Sequence, residues 1–369
     1  MSFVGIQCGI VGLPNVGKST LFNAITASSQ AAAENYPFCT IEPNTGVVPV
    51  PDERIRALTA LVNPAREVPA TIEFVDIAGL VKGASQGEGL GNQFLAHIRD
   101  VDAIAHVVRA FDDPNVIHVD GSVNPKRDIE VIETELILKD LETLDKKSDA
   151  AQRKSKTGDP KARAESDFYV RLKEHLEKGR LAKYLPLISD DEQTWLREMH
   201  LLTSKPVLFV ANTDEHGVTH GNAYIDTIRE IAGKEGALVV PICAKIEMEL
   251  VELPEAERAD FLRELGLKEP GLNALVRAAY DLLGLQTYFT AGPKEVRAWT
   301  VRKGAKAPEA AAVIHTDFEK GFIRAEVMKL SDFLRLKSEA AVREAGLLRS
   351  EGREYIVDDG DIMHFRFNV

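Results

Sequence analysis

The segment that most constrains the fold of this chain is Gly12-Leu13-Pro14-Asn15-Val16-Gly17-Lys18-Ser19, which fits the pattern G-x-x-x-x-G-K-[ST]. The apolar run 5–11 before it predicts a buried strand, and residues 20–26 after it predict the first turns of a helix. In this context the glycines let backbone N–H groups turn toward a phosphate, and the helix N-terminus adds its positive dipole end. The sequence therefore predicts a nucleotide-binding P-loop. The alternative is an ordinary glycine-rich turn between a strand and a helix.

Oxygen-bearing side chains near this loop predict a magnesium site. Lys18 would reach the β- and γ-phosphates of a nucleotide, and the hydroxyl of Ser19 would bind Mg²⁺, a hard cation that prefers oxygen ligands. Thr40 is our candidate for the second protein ligand of Mg²⁺, and Thr45 is the alternative. The other interpretation of Thr40 is a loop threonine with no role at the metal.

A second motif, Asp76-Ile77-Ala78-Gly79, follows the predicted strand 71–75. Asp76 at the strand end can hold Mg²⁺ through water, and the N–H of Gly79 can sense the γ-phosphate. The pattern D-x-x-G is weak alone, but behind a strand and downstream of a P-loop it is typical of switch NTPases. The glycine-rich segment 83–91 after it predicts a mobile switch loop.

The residue after Gly79 bears on hydrolysis. Many GTPases place a glutamine there to orient the attacking water, but this chain has Leu80, which carries no hydrogen-bond donor or acceptor. Either hydrolysis is very slow, or another polar group orients the attacking water. Our candidate for that group is His118, and the alternative is a structural histidine. Most of the catalysis would be electrostatic, from Lys18, Mg²⁺ and backbone N–H groups.

The predicted base-recognition segment departs from the guanine-specific pattern N-K-x-D. The predicted strand 207–211 is followed by Asn212-Thr213-Asp214-Glu215, so the asparagine is present, the lysine is lost and the acidic position is glutamate. Asn212 can still pair with N6 and N7 of adenine, whereas guanine would lose the carboxylate geometry that it needs. These residues predict relaxed base specificity and do not by themselves select ATP. Cys243-Ala244-Lys245 would bring a backbone N–H to the purine.

The alternation of apolar runs and helical patterns predicts the fold class. Apolar runs bounded by turn residues lie at 6–11, 71–77, 101–108, 206–211 and 237–243. Helical patterns lie between several of them, at 88–99, 222–235 and 272–283. This α/β alternation predicts a doubly wound, mostly parallel sheet, formed by residues 1–125 and 201–284.

The alternation is interrupted at residues 126–200. Segments 128–147 and about 161–180 have apolar residues at helical spacing, separated by a polar tract with Gly158-Asp159-Pro160. Two helices joined by a polar tip predict an antiparallel helical hairpin inserted in the α/β domain. Residues 146–184 contain twelve Lys or Arg against six Asp or Glu, although the whole chain has a net charge of −12. This arm is therefore either a solvated structural element or a basic probe for RNA.

The C-terminal region, from residue 285 to 369, predicts a small separate α+β domain. Candidate short strands lie at 296–301, 322–328, 353–357 and 362–369. Between them, about 331–345 predicts one helix.

Composition bounds the class of protein. A chain of 369 residues with 44% hydrophobic and 28% charged residues predicts a soluble globular protein of two or three domains. No apolar run approaches the length of a membrane span, and we expect no signal peptide because the N-terminus lacks a basic region. Cys8, Cys39 and Cys243 lack metal-ligand spacing and fit a reducing cytoplasm. Without an apolar run long enough to span a membrane we expect no membrane partner, and because the acidic net charge argues against general nucleic-acid affinity, we expect no sequence-specific DNA partner.

Taken together, these motifs closely resemble those of one family, the Obg-like ATPases or YchF family, within the translation-factor P-loop GTPase class. The stretches that carry the resemblance are 9–26, 35–44, 74–91, 108–121, 212–215 and 285–299. The resemblance implies three parts: a Ras-like P-loop NTPase domain, an inserted α-helical coiled-coil arm, and a C-terminal TGS domain with a β-grasp fold. It implies hydrolysis of ATP in preference to GTP. A GTPase translation factor and a non-catalytic nucleotide-binding scaffold are the alternatives.

The resemblance also implies roles for individual residues. The phosphates would be held by Asn15, Val16, Gly17, Lys18, Ser19 and Thr20, with Ser19 and Thr40 on Mg²⁺. Asn212 and Thr213 would contact the base, with Phe111 packed near it. Leu80 matches the family's hydrophobic replacement for the catalytic glutamine, and His118 matches its proposed substitute. Asn15 matches a position that some related NTPases use for K⁺. The implied partner is the ribosome, as 50S subunit or 70S particle, through rRNA or ribosomal proteins that contact the basic arm and the TGS domain.

Overall fold

The computed structural model describes residues 6–35, 44–77, 98–156 and 158–368. Some positions named above lie outside these ranges, namely Cys39, Thr40, Gly79, Leu80, the segment 83–91 and most of the predicted helical pattern 88–99. Within the described ranges, the chain forms two six-stranded sheets and a long helical hairpin.

The strands and helices of the described residues are as follows. The strands are β1 (Gln7–Val11), β2 (Thr45–Pro49), β3 (Glu67–Val68), β4 (Thr71–Asp76), β5 (Ala103–Arg109), β6 (Val207–Asn212), β7 (Val239–Ile242), β8 (Leu285–Ala291), β9 (Val296–Arg302), β10 (Phe322–Lys329), β11 (Arg349–Glu351) and β12 (Asp361–Phe367). The helices are α1 (Lys18–Asn35), α2 (Glu53–Val62), α3 (Pro125–Ser155), α4 (Pro160–Glu177), α5 (Asp190–Glu198), α6 (Glu215–His220), α7 (Ala223–Glu235), α8 (Ala244–Glu252), α9 (Glu255–Glu264), α10 (Gly271–Leu282), α11 (Ala307–Ile314), α12 (Thr316–Lys320), α13 (Leu330–Leu336) and α14 (Glu339–Glu344). None of these described helices is long and apolar enough to cross a membrane.

The first sheet has the strand order β2-β4-β1-β5-β6-β7, and every pair except β2–β4 is parallel. The central strands β1, β5 and β6 are almost completely buried, as their nearly continuous apolar sequences require. Because the strands are parallel, the loops after β1, β5, β6 and β7 meet at one edge of the sheet, where open α/β sheets bind ligands. The predicted doubly wound sheet is confirmed.

Two residues with reactive or titratable side chains are part of this core. Cys8 and His106 are both buried in the apolar strands β1 and β5. Burial raises the pKa of the Cys8 thiol to about 12 and lowers the pKa of His106 to about 3, because the charged forms lose their hydration. Both side chains are therefore neutral at pH 7 and serve the packing.

The interruption of the α/β pattern is the helical hairpin α3–α4, as predicted. The side chain of Asn124 caps α3 by accepting a hydrogen bond from the N–H of Arg127 at 3.1 Å. The side chain of Asp159 caps α4 by accepting from the N–H of Lys161 at 3.0 Å. The hairpin has its own apolar core, which includes Leu144, Phe168, Leu172, Leu176 and Trp195. The arm is therefore a packed element, and α3 extends beyond the predicted helix at both ends.

A buried carboxylate fixes the base of the arm. Asp140 of α3 accepts hydrogen bonds from the N–H groups of Leu202 and Thr203, each at 2.8 Å, and from the hydroxyl of Thr203 at 2.7 Å. Burial raises the pKa of Asp140, and these hydrogen bonds oppose the shift. They attach the middle of α3 to the segment that leads from the arm back into β6.

The second sheet has the order β11-β10-β12-β8-β9-β3. Its edge strand β3 belongs to the first third of the chain and pairs in parallel with β9. An ion pair adds to this contact, since Arg54 of α2 lies 2.6 Å from Asp359. Helix α11 covers the sheet through Ala307, Ala310 and Ala311. The C-terminal sheet is therefore joined to the first part of the molecule by main-chain pairing as well as by side chains.

Three predictions for the C-terminal region are wrong. One helix was expected among its strands, but α11 and α12 also lie there, between β9 and β10. The single helix expected at about 331–345 is two helices, because Lys337 adopts a left-handed conformation (φ 66°) and Ser338 caps a new helix by accepting from the N–H of Ala341. The strand expected at 353–357 is absent from the described structure, where this segment contributes only an isolated bridge between Ile356 and Lys306. These errors concern short segments whose state depends on local caps and turns.

Candidate nucleotide-binding site

A cavity of about 950 Å³ lies at the edge of the first sheet where the parallel strands end. Its described walls come from the P-loop and from the segments that follow β5, β6 and β7. The predicted site residues that line it are Asn15, Gly17, Lys18, Ser19, Thr20, Phe111, Asn212 and Thr213. The structure thus brings the predicted phosphate-binding and base-binding residues to one cavity of a size suited to a nucleotide.

The P-loop has a conformation that requires glycine at one position above all. Gly17 has φ 90°, and a Cβ there would lie 2.1 Å from Nδ2 of Asn212. Asn15 also has a positive φ of 61°, which asparagine tolerates better than most residues. The chain therefore turns sharply before α1, and the start of that helix opens on the cavity.

Lys18 and Asp76 form an ion pair at the phosphate end of the site. Lys18 is buried, whereas Ser19 beside it is exposed in the cavity. The hydroxyl of Ser19 and the carboxylate of Asp76 are oxygen donors of the kind that Mg²⁺ prefers, so the described residues fit this ion. The alternative ligand Thr45 lies in β2, where it pairs with Val75 of β4.

Asn212 connects the base segment to its two neighbours. Its side chain is buried, with Nδ2 donating to the carbonyl of Val16 at 2.8 Å and Oδ1 accepting from the N–H of Ala244 at 3.1 Å. An amide has two N–H donors and two lone pairs, so one of each remains for a base. Asn212 is therefore a structural link as well as a candidate base contact, which the sequence pattern does not reveal.

The other residues of this segment have distinct roles. The hydroxyl of Thr213 is buried, donates to the carbonyl of Ala110 at 3.0 Å and accepts from Nδ2 of Asn222 at 3.0 Å. Asp214 also lines the cavity, and one oxygen of its carboxylate caps α6 by accepting from the N–H of Gly217 at 2.7 Å. Glu215 lines the cavity with its carboxylate 3.6 Å from the ammonium of Lys245. Glu215 thus stands at the acidic position of the base segment, next to the helix-capping Asp214.

Comparisons with known proteins agree with this geometry. The family model YchF-GTPase_C, described as "Protein of unknown function (DUF933)", matches residues 285–368, and the model MMR_HSR1, described as "50S ribosome-binding GTPase", matches residues 7–148. The chain is 57% identical over 366 residues to the ribosome-binding ATPase YchF of Shigella flexneri, covering 99% of this chain and all of the relative. The chain belongs to the YchF family.

Other members of the YchF family extend the similarity. The ribosome-binding ATPase YchF of Bacillus subtilis is 54% identical over 368 residues, covering 99% of this chain and 100% of the relative. The solved structure of the Schizosaccharomyces pombe YchF GTPase matches with a TM-score of 0.88 and 39% identity over 98% of both chains. The similarity therefore covers the first sheet, the arm and the C-terminal sheet, and the predicted fold class is confirmed.

In this YchF-family chain, the loop after β5 is organised by an arginine that the sequence analysis missed. Arg109 is 1% exposed, and its guanidinium donates to the carbonyls of Phe111 (3.1 Å), Val116 (2.9 Å) and Asp113 (3.3 Å). The guanidinium carbon also lies 4.6 Å from the centre of the Phe111 ring. Arg109 thus shapes the wall that carries Phe111. The sequence signal that could have identified Arg109 is its position as a charged residue directly after the apolar run 101–108.

His118 lies beside this wall but is not among the described residues that line the cavity. The ring is buried, with Nε2 2.9 Å from a carboxylate oxygen of Asp128 and Nδ1 accepting from the N–H of Asp120 at 3.1 Å. Both ring nitrogens are therefore engaged within the protein. A role in hydrolysis requires the ring to turn away from Asp128 or Asp120.

Proposed function

We propose that this YchF-family chain is a Mg²⁺-dependent nucleotide hydrolase that prefers ATP to GTP and associates with the ribosome. The observation that carries the proposal is a single cavity lined by Lys18 and Ser19 at one end and by the altered base segment 212–215 at the other. The names of the relatives, ribosome-binding ATPase YchF, support the same activity and partner.

The phosphate end of the proposed site consists of the P-loop and the start of α1. The N–H groups of residues 15–20 would hold the phosphates, and Gly79 would sense the γ-phosphate. Ser19, Asp76 and Thr40 would hold Mg²⁺, which neutralises charge on the phosphate oxygens when bound. Lys18 would exchange its partner Asp76 for the phosphates, so that the nucleotide replaces an internal ion pair.

The base end supports a preference for adenine. Guanine offers N1–H and a 2-amino group, which need a well-placed carboxylate, and here the carboxylate belongs to the longer Glu215 beside Lys245. Asp214 stands one position before the guanine-reading position of the pattern, and its Oδ1 is held by the N–H of Gly217 as a helix cap. Adenine needs no carboxylate, and the free donor and acceptor of Asn212 suit its N7 and N6 edge.

Hydrolysis without a partner is expected to be slow. Leu80 stands where a water-orienting glutamine is common, and in the described structure His118 is engaged by Asp128 and Asp120. We assign His118 as the polar substitute, acting with Lys18 once its ring is released. Asn15 matches a position that some related NTPases use for K⁺, so hydrolysis is expected to be faster in potassium than in sodium salts.

The arm is the proposed ribosome contact. Its distal part carries exposed basic side chains, including Lys146, Lys147, Arg153 and Lys156. Binding of RNA by such a surface releases counterions and therefore weakens steeply with salt. The C-terminal sheet would provide a second contact, and a cytoplasmic location follows from this partner.

The proposal is tested by nucleotide titration and turnover. We expect calorimetry with Mg²⁺ to give tighter binding of ATP than of GTP, and 70S ribosomes to accelerate ATP hydrolysis. Lys18→Ala should abolish turnover, whereas Lys234→Ala, on the exposed face of α7, should not change it. Tighter binding of GTP than of ATP would instead support a GTPase, which is the activity named in the family model that matches residues 7–148. Binding without turnover, even with ribosomes, would support a non-catalytic scaffold.

A further inference from the structure

One short segment connects the P-loop to the arm. Between β5 and α3, Ile117 and His118 are neighbours in the chain but contact different parts of the molecule. Asn15 of the P-loop donates from Nδ2 to the carbonyl of Ile117 at 3.1 Å. His118 places Nε2 2.9 Å from Oδ2 of Asp128, which lies in the first turn of α3. Two adjacent hydrogen bonds thus join the nucleotide cavity to the arm.

The buried carboxylate of Asp128 has two partners, Arg127 of the same helix and His118 of the preceding segment. An acidic residue stabilises the first turn of a helix when it is exposed, and the N-cap of α3 is already provided by Asn124. The side chain of Asp128 is nevertheless only 3% exposed. A buried carboxylate is unfavourable unless it is paired, and its buried partner is His118. Its other oxygen, Oδ1, lies 3.1 Å from Nη2 of Arg127.

The hydrogen bonds also define the protonation of the ring. Because Nδ1 of His118 accepts the N–H of Asp120, the proton of a neutral ring must be on Nε2, which donates to Asp128. A carboxylate that accepts from one imidazole nitrogen fixes both the tautomer and the orientation of the ring. Asp128 therefore controls where His118 points.

We propose that Asp128 is a positioning residue that holds His118 in a resting orientation, so that displacement of the arm releases the ring toward the nucleotide. The inference rests on the proposed hydrolysis at the P-loop cavity. Asp128 belongs to α3, whose start is packed in the core through Ile129, whereas His118 belongs to the segment tethered to Asn15 and to the wall shaped by Arg109. A shift of α3 relative to this wall breaks the contact between the carboxylate and the ring. A ribosome bound at the arm would produce such a shift.

The test is Asp128→Asn in the full chain, assayed for ATP hydrolysis without ribosomes. A neutral amide accepts a weaker hydrogen bond than a carboxylate, so the released fraction of His118 should rise and kcat should increase about five-fold. The KM for ATP should stay within about two-fold, since the cavity itself is unchanged. Asp128→Glu, which keeps the carboxylate, should remain close to the wild type. Glu130→Gln, an exposed change on the same helix, should have no effect.

The double variant shows whether Asp128 acts through His118. In a His118→Ala background, Asp128→Asn should leave kcat unchanged, because the group that it restrains is gone. Ribosomes should stimulate Asp128→Asn less than the wild type. An unchanged or lower kcat for a folded Asp128→Asn, or an equal increase in the His118→Ala background, overturns the inference. If Asp128→Asn does not fold, Asp128→Ser carries the same expectation.

A spectroscopic readout separates this inference from the proposed function. In ¹⁵N-histidine spectra, with the ring assigned by His118→Gln, the wild-type ring should show the Nε2-protonated tautomer, and Asp128→Asn should shift its signals. If the wild type hydrolyses no nucleotide, the proposed function fails, and these signals still decide whether Asp128 holds the ring. Signals of His118 that are identical in the wild type and in Asp128→Asn overturn the inference.

Discussion

The two ends of the nucleotide cavity are built in different ways. The phosphate end comes from one continuous segment, 12–20, whose shape depends on glycines and on the start of α1. The base end is assembled from three segments that are locked together by the buried side chains of Arg109, Asn212 and Thr213. Changes at the phosphate end should therefore act mainly on nucleotide binding, whereas changes at the base end should act strongly on the stability of the fold as well.

The largest effect on binding is expected for Gly17→Ala. The side chain would have to adopt φ near 90° and would meet Asn212, so the P-loop must rearrange. We expect ATP affinity, measured by calorimetry, to fall about 100-fold or more, which corresponds to about 3 kcal/mol.

The matched control is Gly233→Ala in α7, where an added Cβ meets no atom within 4 Å. Alanine is the better helix former, so this variant should bind ATP normally and be more stable by about 0.5–1 kcal/mol. Equal ATP affinity for Gly17→Ala and the wild type would show that the loop does not hold the phosphates.

The largest effect on stability is expected for Arg109→Met. Methionine fills part of the volume but leaves the carbonyls of Phe111, Asp113 and Val116 without their donor. We expect denaturant unfolding to show a loss of about 2–3 kcal/mol, because hydrogen bonds to a charged group in the interior are among the stronger ones. An unchanged unfolding free energy would mean that the base end is not locked by this residue.

Asn212→Ala distinguishes a structural link from a base contact. Removing the amide leaves the carbonyl of Val16 and the N–H of Ala244 without partners, so affinity for both ATP and GTP should fall, by roughly thirty-fold or about 2 kcal/mol, and ATP should lose somewhat more because adenine also loses its contact. Calorimetry with both nucleotides measures the two losses. A loss confined to ATP would instead show that Asn212 acts only by contacting adenine.

The smallest effect is expected for Glu215→Asp. Shortening this side chain restores the residue type that accepts from guanine, so the GTP-to-ATP affinity ratio should rise about ten-fold, or about 1.4 kcal/mol. Glu249→Asp is the control, since Glu249 also lies near Lys245, at 3.8 Å, and is not among the described residues that line the cavity. An equal GTP-to-ATP affinity ratio in Glu215→Asp and Glu249→Asp would show that Glu215 does not select the base. A lysine at Thr213, by contrast, would disrupt a buried hydroxyl network.

The contrast between a site built from one continuous segment and a site assembled from distant segments also explains how much the sequence could predict. The P-loop, the inner strands and the arm were predicted because their signals are local: a motif, continuous apolar runs and helical spacing. The role of Arg109 was not predicted, because its partners are backbone carbonyls. The pairing of His118 with Asp128 was not predicted either, because Asp128 belongs to another element. Strand β3 was missed because two residues carry no pattern, and its partner β9 is more than 200 positions away. Long-range hydrogen bonds of this kind leave no periodicity in the sequence.

The most direct test of this account is a crystal structure of the chain with Mg²⁺ and a non-hydrolysable ATP analogue. We expect the triphosphate in the loop 12–19, the ammonium of Lys18 moved from Asp76 to the phosphates, and the adenine between Phe111 and the segment 212–215. An unfilled P-loop with the Lys18–Asp76 ion pair intact, or a purine bound away from Asn212, would contradict it.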